Sequence, residues 1–135
     1  MLDVFANSDI DILSNVIKPT FPDGLDIEVF NFKSLKIANN FAKSLYDREH
    51  VTSYMYKKKF FIKKNFEYKS NYSNLRFTID EKKDLTLMNQ IINKTKIKKF
   101  DWKSLIKTLN NNKDLMKRAQ FINKKNYKKL DTGPE

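Results

Sequence analysis

The 135-residue sequence has no cysteine, one histidine, two glycines and three prolines. Without cysteine, disulfides, thiolate zinc sites and thiol nucleophiles are all excluded. Two glycines cannot build a glycine-rich phosphate cradle, and there is no GxGxxG, Walker lysine loop, GxSxG or histidine pair at metal spacing. No apolar run approaches the roughly 20 residues that cross a bilayer. The stretch from Met1 to Asn7 carries an acid where a signal peptide begins basic. These absences predict a soluble, cytoplasmic protein with no membrane insertion. Arginine is also scarce: 27 residues are Lys or Arg, and only Arg48, Arg76 and Arg118 are Arg. Guanidinium forks suit bidentate phosphate and guanine readout, whereas lysine supplies a point charge.

What is present is a core-forming chain, with 40% hydrophobic and 13% aromatic residues and a net charge of +11. That length fits one ordinary domain or a large part of one. The charge is uneven. Residues 1–93 hold 14 basic and 12 acidic groups, residues 94–129 hold 13 and 2, and residues 130–135 hold two acids. The chain therefore divides into a nearly neutral part, 1–93, and a basic helical extension of the same domain, 94–135. The basic face of 94–129 reads either as solvated surface or as a polyanion-binding surface for nucleic acid or an acidic partner, and the rarity of arginine disfavours nucleic acid. Steep loss of binding between roughly 50 and 200 mM salt would mark the second case.

Apolar spacing predicts mixed α/β structure. Leu2 and Phe5 mark a helix end, and Asp9–Ser14 alternates like a strand. KPTFPDG at Lys18–Gly24 is a loop. Leu25–Phe30 alternates, with Leu25, Ile27 and Val29 on one face and Asp26, Glu28 and Phe30 on the other. Asn31 caps a helix through Leu45 with Leu35, Ala38, Ala42 and Leu45 on one face, and Asp47 caps a second to Lys57. Phe60–Phe66 and Leu75–Ile79 read as strands. Glu81–Lys94 is a helix with Leu85, Met88 and Ile92 on its apolar face. Asp101 caps another, with Trp102, Leu105, Ile106 and Leu109, which Asn110–Asn112 end. Asp114–Ile122 forms a last short helix before a Lys- and Asn-rich tail ending Gly133-Pro134-Glu135. No repeat period is present.

Three segments carry candidate chemistry. In DREHVTSYMY (Asp47–Tyr56), Arg48, Glu49 and His50 offer anion binding, hydroxyl binding and proton transfer in one turn, or form a polar helix start. In NLRFTIDEKKDL (Asn74–Leu85), Asp80 is either an ordinary helix cap or a Mg²⁺ ligand at a strand end. Asp84, one turn on, complements the helix dipole. In PDGLDIEVF (Pro22–Phe30), Asp26 and Glu28 follow Gly24 on alternate positions, as on a solvent-facing strand or against the vicinal hydroxyls of a sugar.

In this order, PDGLDIEVFNF, DREHVTSYMY and NLRFTIDEKKDL resemble the C-terminal half of a sugar-activating cytidylyltransferase. The resemblance is to the spore-coat polysaccharide branch of the acylneuraminate and CMP-KDO synthetase family, whose blocks read P-x-G-L-D-[VI]-E-V-F-S, R-E-H-V-T-x-Y-x-Y and L-R-x-T-[VI]-D-x-x-x-D-[LF]. LSN at Leu13–Asn15 and DWKSLIKTLNNNKDL extend the likeness over nearly the whole chain. Ser53 replaces the usual Pro, and Glu81-Lys82 the usual Thr-Pro. The resemblance implies the C-terminal portion of a nucleotide-diphosphosugar-transferase fold, Rossmann-like and GT-A in type, with three layers and without the N-terminal nucleotide-binding strands. It implies a cytidylyltransferase in polysaccharide biosynthesis, in which the hydroxyl of an acid or related sugar attacks the α-phosphate of CTP with Mg²⁺ present. Gly24, Asp26, Glu28, Arg48, Glu49 and His50 would bind the sugar, and Asp80 the metal. The partners implied are a second copy in a homodimer or a complementing N-terminal half.

Overall fold

The computed structural model describes residues 1–95 and 101–122, without the side chains of residues 121 and 122. The Lys- and Asn-rich tail and much of the basic 94–129 segment lie outside the described residues. The described residues form a mixed α/β structure in two units, one of Met1–Thr20 and Asp26–Lys69, the other of Phe21–Leu25 and the described residues from Ser70 onward.

The first unit contains α1 (Leu2–Ala6), β1 (Ile12–Ser14), β2 (Glu28–Phe30), α2 (Phe32–Phe41), α3 (Leu45–Glu49), α4 (Ser53–Lys57) and β3 (Lys63–Asn65). Its three strands are ordered β2-β1-β3. β1 pairs antiparallel with β2, setting Ser14 opposite Glu28, and parallel with β3, setting Ile12 opposite Lys63. Central β1 is buried throughout, which suits a strand covered on both faces. Ile12 packs with Ala38, Met55 and Phe61. Asp11 ties the sheet margin together: its carboxylate accepts from the Ile62 amide at 2.8 Å and the Ser34 hydroxyl at 2.8 Å. Burial opposes ionisation there, but these hydrogen bonds hold the Asp11 carboxyl below its ordinary value.

Helix boundaries follow the caps. Asn31 accepts from the Ser34 amide at 2.7 Å and starts α2, as expected. The predicted helix through Leu45 is cut short, because Ala42 is extended and Ser44 caps a new helix by accepting from the Asp47 amide at 3.1 Å. Leu45 is consequently 89% exposed instead of facing the core. Asp47 sits inside α3 and is not a cap. The stretch predicted as one helix to Lys57 is interrupted at His50–Thr52, where Val51 adopts φ +24°. The expected strand Phe60–Phe66 pairs only over β3, and Leu25–Phe30 only over β2.

The second unit is largely helical, with α5 (Lys82–Thr95), α6 (Trp102–Asn110) and α7 (Lys113–Ile122). Leu75, Phe77, Leu87, Ile91, Leu105, Leu109 and Leu115 form its core, with Leu25 packed against them. The predicted strand Leu75–Ile79 makes a single bridge, Asp23 to Arg76. Helix α5 is rotated from the expected face: Asp84, Leu87, Met88 and Ile91 are buried, whereas Leu85 and Ile92 are exposed. The cause lies at the helix start, where the Asp84 carboxylate accepts from the backbone amides of Asp80 at 3.1 Å and Glu81 at 3.0 Å. Turning that carboxylate inward to satisfy orphan donors turns the 84-87-88-91 stripe inward with it. Asp101 caps α6 as expected, accepting from the Lys103 and Ser104 amides.

Candidate functional site

The strand-to-helix organisation of the first unit creates an open cavity of ≈ 370 Å³ beside β2, with Glu28, Glu49, His50, Thr52 and Tyr56 in its wall. Glu28 reaches it from β2, and the other four come from the interrupted helical stretch α3–α4. The Glu28 carboxylate accepts from the Thr52 hydroxyl at 2.9 Å and from the Tyr56 hydroxyl. Residues 52 and 56 are one helical turn apart, so both hydroxyls fall on one face. Burial, with the Glu28 charge, pushes the Tyr56 phenol well above its ordinary value, so it stays a proton donor.

A second carboxylate fixes the turn that carries His50. Asp47 accepts from the Ser44 hydroxyl at 2.7 Å, the Ser53 hydroxyl at 2.5 Å and the Lys57 ammonium at 2.9 Å. Burial would raise its pKa, but these donors outweigh it and lower the carboxyl to about 2. The His50 ring lies against Tyr46 with centroids 4.3 Å apart and planes tilted by 54°, and the Lys57 ammonium lies 4.7 Å from the centre of the same Tyr46 ring. Val51, next to His50, is β-branched at positive φ. Such a residue is held against its own preference by the contacts around it, at a cost of order 1–3 kcal/mol.

Glu28, Glu49 and His50, three of the six residues that the family resemblance assigns to the sugar, therefore line one cavity. Asp26 belongs to the same unit, and its charge adds to the rise at Tyr56. Arg48 turns elsewhere: its guanidinium donates to the Asn39 carbonyl at 3.0 Å and the Asn39 side-chain oxygen at 2.9 Å, beside a smaller cavity of ≈ 140 Å³. Gly24 and Asp80 belong to the second unit. Gly24 has φ +94°, and a Cβ there would lie 2.9 Å from the Thr78 amide nitrogen, so glycine is required by backbone approach. Asp80 is engaged by Arg76, which also donates to Asp23 at 2.6 Å.

Among the described residues no group of three His, Cys, Asp or Glu side chains could hold a metal ion. Mg²⁺ commonly takes one or two carboxylates and completes its shell with phosphate oxygens and water. Asp80 could supply one such carboxylate, with its Oδ2 held by the Arg76 guanidinium. Sequence reasoning missed Thr52, Tyr56, Ser53 and Asp47 as parts of the site. A Thr and a Tyr spaced i, i+4 was the available signal, but it has meaning only once Glu28 faces them.

No protein-family model matches the chain, and no curated protein matches it. A solved cytidylyltransferase from Leptospira borgpetersenii serovar Hardjo-bovis (strain JB197) is similar in structure, with a TM-score of 0.79 and 27% identity. The match covers 85% of this chain and 50% of that one, so the chain spans about half the length of its solved neighbour. This likeness supports the cytidylyltransferase class. No helix among the described residues is long and apolar enough to cross a membrane.

Proposed function

We infer that this chain carries the sugar-acceptor side of a cytidylyltransferase of the GT-A type that activates a sugar for surface polysaccharide synthesis. The observation that carries the reading is the similarity to a solved cytidylyltransferase at 27% identity over 85% of the chain. The cavity beside β2 supports the acceptor role, because it groups carboxylates, hydroxyls and an imidazole at a size suited to a monosaccharide. In the reaction a sugar hydroxyl, or the phosphate of a sugar phosphate, attacks the α-phosphorus of CTP. The bond to the leaving pyrophosphate breaks, and a CMP- or CDP-sugar forms. Glu28, Glu49 and His50 line the acceptor, with Asp26 adding charge behind them, and Arg48 holds α3 to α2. Gly24 shapes the loop before β2. Asp80 is the residue of this chain that would hold Mg²⁺, whose chemistry there is neutralisation of triphosphate charge. A homodimer, or a separate nucleotide-binding half, would be its protein partner, and the cytoplasm its place of action.

The test is pyrophosphate release from CTP and Mg²⁺ with a panel of sugars and sugar phosphates, using the chain alone and then with a supplied nucleotide-binding half. Release that disappears in Asp80→Asn and Glu28→Gln is the expected result. Absence of release under both conditions, from protein with a cooperative melt, would overturn the reading.

A further inference from the structure

The wall of the Glu28 cavity has an unequal hydrogen-bonding inventory. Three of its side chains carry hydroxyls whose protons are already committed: Thr52 and Tyr56 donate to Glu28, and Ser53 donates to Asp47. A hydroxyl has one proton, so once it is given to a carboxylate the oxygen can only accept from a ligand. Glu49, also in the wall, is exposed and has no ion-pair or hydrogen-bond partner among the described residues. The donors left to the wall's side chains are those of His50 and Tyr46.

The charges point the same way. Glu28 and Glu49 line the cavity, while no lysine or arginine among the described residues of the wall does so. Three cations on or beside the residues of the wall are engaged elsewhere. Lys63 donates to the Tyr56 carbonyl at 2.9 Å and the Lys58 carbonyl at 2.8 Å. Arg48 donates twice to Asn39, and Lys57 is paired with Asp47 at 2.9 Å. A carboxylate is ordinarily recognised by an arginine fork or by several converging donors. This wall supplies carboxylates and hydroxyl acceptors in their place.

We propose that the Glu28–Thr52–Glu49 wall selects its sugar by the donors the sugar presents, taking an amino sugar ahead of a neutral one and a neutral one ahead of an acid sugar. The inference rests on the acceptor-side reading above and narrows the acid or related sugar that the family resemblance implies. An ammonium group on the sugar would donate to the Glu49 carboxylate and to the Thr52 oxygen. A carboxylate at the same place would meet like charge and acceptors.

Three pyranoses that differ in one substituent, glucosamine in its ammonium form, glucose and glucuronate, are titrated separately into the isotope-labelled full chain, and amide shifts in α3 and α4 are followed. The expected order of affinity is glucosamine, glucose, glucuronate, with about tenfold between the ends, the size of one charge-assisted hydrogen bond. Glu49→Gln, at an exposed position where folding is not at stake, should cut the glucosamine-to-glucuronate ratio about fivefold and weaken glucose less than glucosamine. Glu28→Gln should cut the same ratio. Glucuronate binding at these residues as tightly as glucosamine would overturn the inference while leaving the acceptor reading in place. Failure of all three sugars to bind the folded chain, alone and with the nucleotide-binding half supplied, would overturn the acceptor reading, and the inference with it.

Discussion

In the first unit the carboxylates of Asp11, Glu28 and Asp47 are surrounded by hydroxyls, amides and one ammonium, whereas in the second the Arg76 guanidinium alone holds Asp23 and Asp80. The first arrangement spreads its stabilisation over many short contacts, and each carboxylate keeps at least one donor when another is removed. The second concentrates it on one side chain that is itself 11% exposed. Around that side chain, Arg76 Nε, Thr78 Oγ1 and Asp84 Oδ1 are buried without a partner in the unit. A hydroxyl network suits a wall that must adapt to a ligand. A single buried cation suits a junction that must not move.

The largest expected effect breaks the second arrangement. Arg76→Ala leaves Asp23 without its buried counter-charge and should cost about 3–5 kcal/mol in urea unfolding. Asp80→Asn should cost less than about 1 kcal/mol, because Asp80 is 65% exposed and water replaces the pair. Equal losses for the two would show that Arg76 does not act as the centre. Gly24→Ala comes next, at about 2 kcal/mol, from positive φ and the close Thr78 backbone together. A loss below about 0.5 kcal/mol would show that this loop relaxes freely.

Asp47→Asn probes the first arrangement through pH. The folded carboxyl, at about 2, lies below its unfolded value near 4, so its stabilisation is complete above about pH 4 and disappears as pH falls through about 2. Screening at this site leaves about 1 kcal/mol for the substitution at pH 7 and only a small part of it at pH 2. A difference that persisted in full at pH 2 would assign the stability to shape and not to charge. The smallest effect is Val51→Gly. Introducing glycine ordinarily costs up to about 1 kcal/mol, but here relief at φ +24° should bring the change within about 0.5 kcal/mol of zero. A loss well beyond 1 kcal/mol would mean that the Val51 side chain is needed for packing at the turn.

The helix caps were legible because a capping residue is a local device: Asn31 and Asp101 announce α2 and α6 within four residues of sequence. The grouping of Glu28 with Glu49 and His50 came only through the family resemblance that the three motifs carry together. The roles of Thr52 and Tyr56 were not legible, since the carboxylate that orients them lies 24 and 28 residues away. The α5 face was misread for a related reason. Periodicity admits two neighbouring stripes, and a polar residue, Asp84, chose between them by capping backward onto Asp80 and Glu81. Alternation over Leu25–Phe30 likewise could not reveal that Leu25 packs with α5–α7 residues while Glu28–Phe30 pairs with β1.

The parallel register of β1 with β3, Ile12 against Lys63, also governs when each part of the chain can acquire its form. Two of the most deeply enclosed side chains, Ile12 and Leu13, sit on a strand whose second neighbour is synthesised some fifty residues later. At ribosomal rates that interval is roughly 3–10 s, and pairings of such separation form slowly even in the released chain. Helices α5–α7, whose contacts are near in sequence, have no comparable wait. The strand at the centre of the sheet is thus, during biosynthesis, available to a chaperone until β3 has emerged.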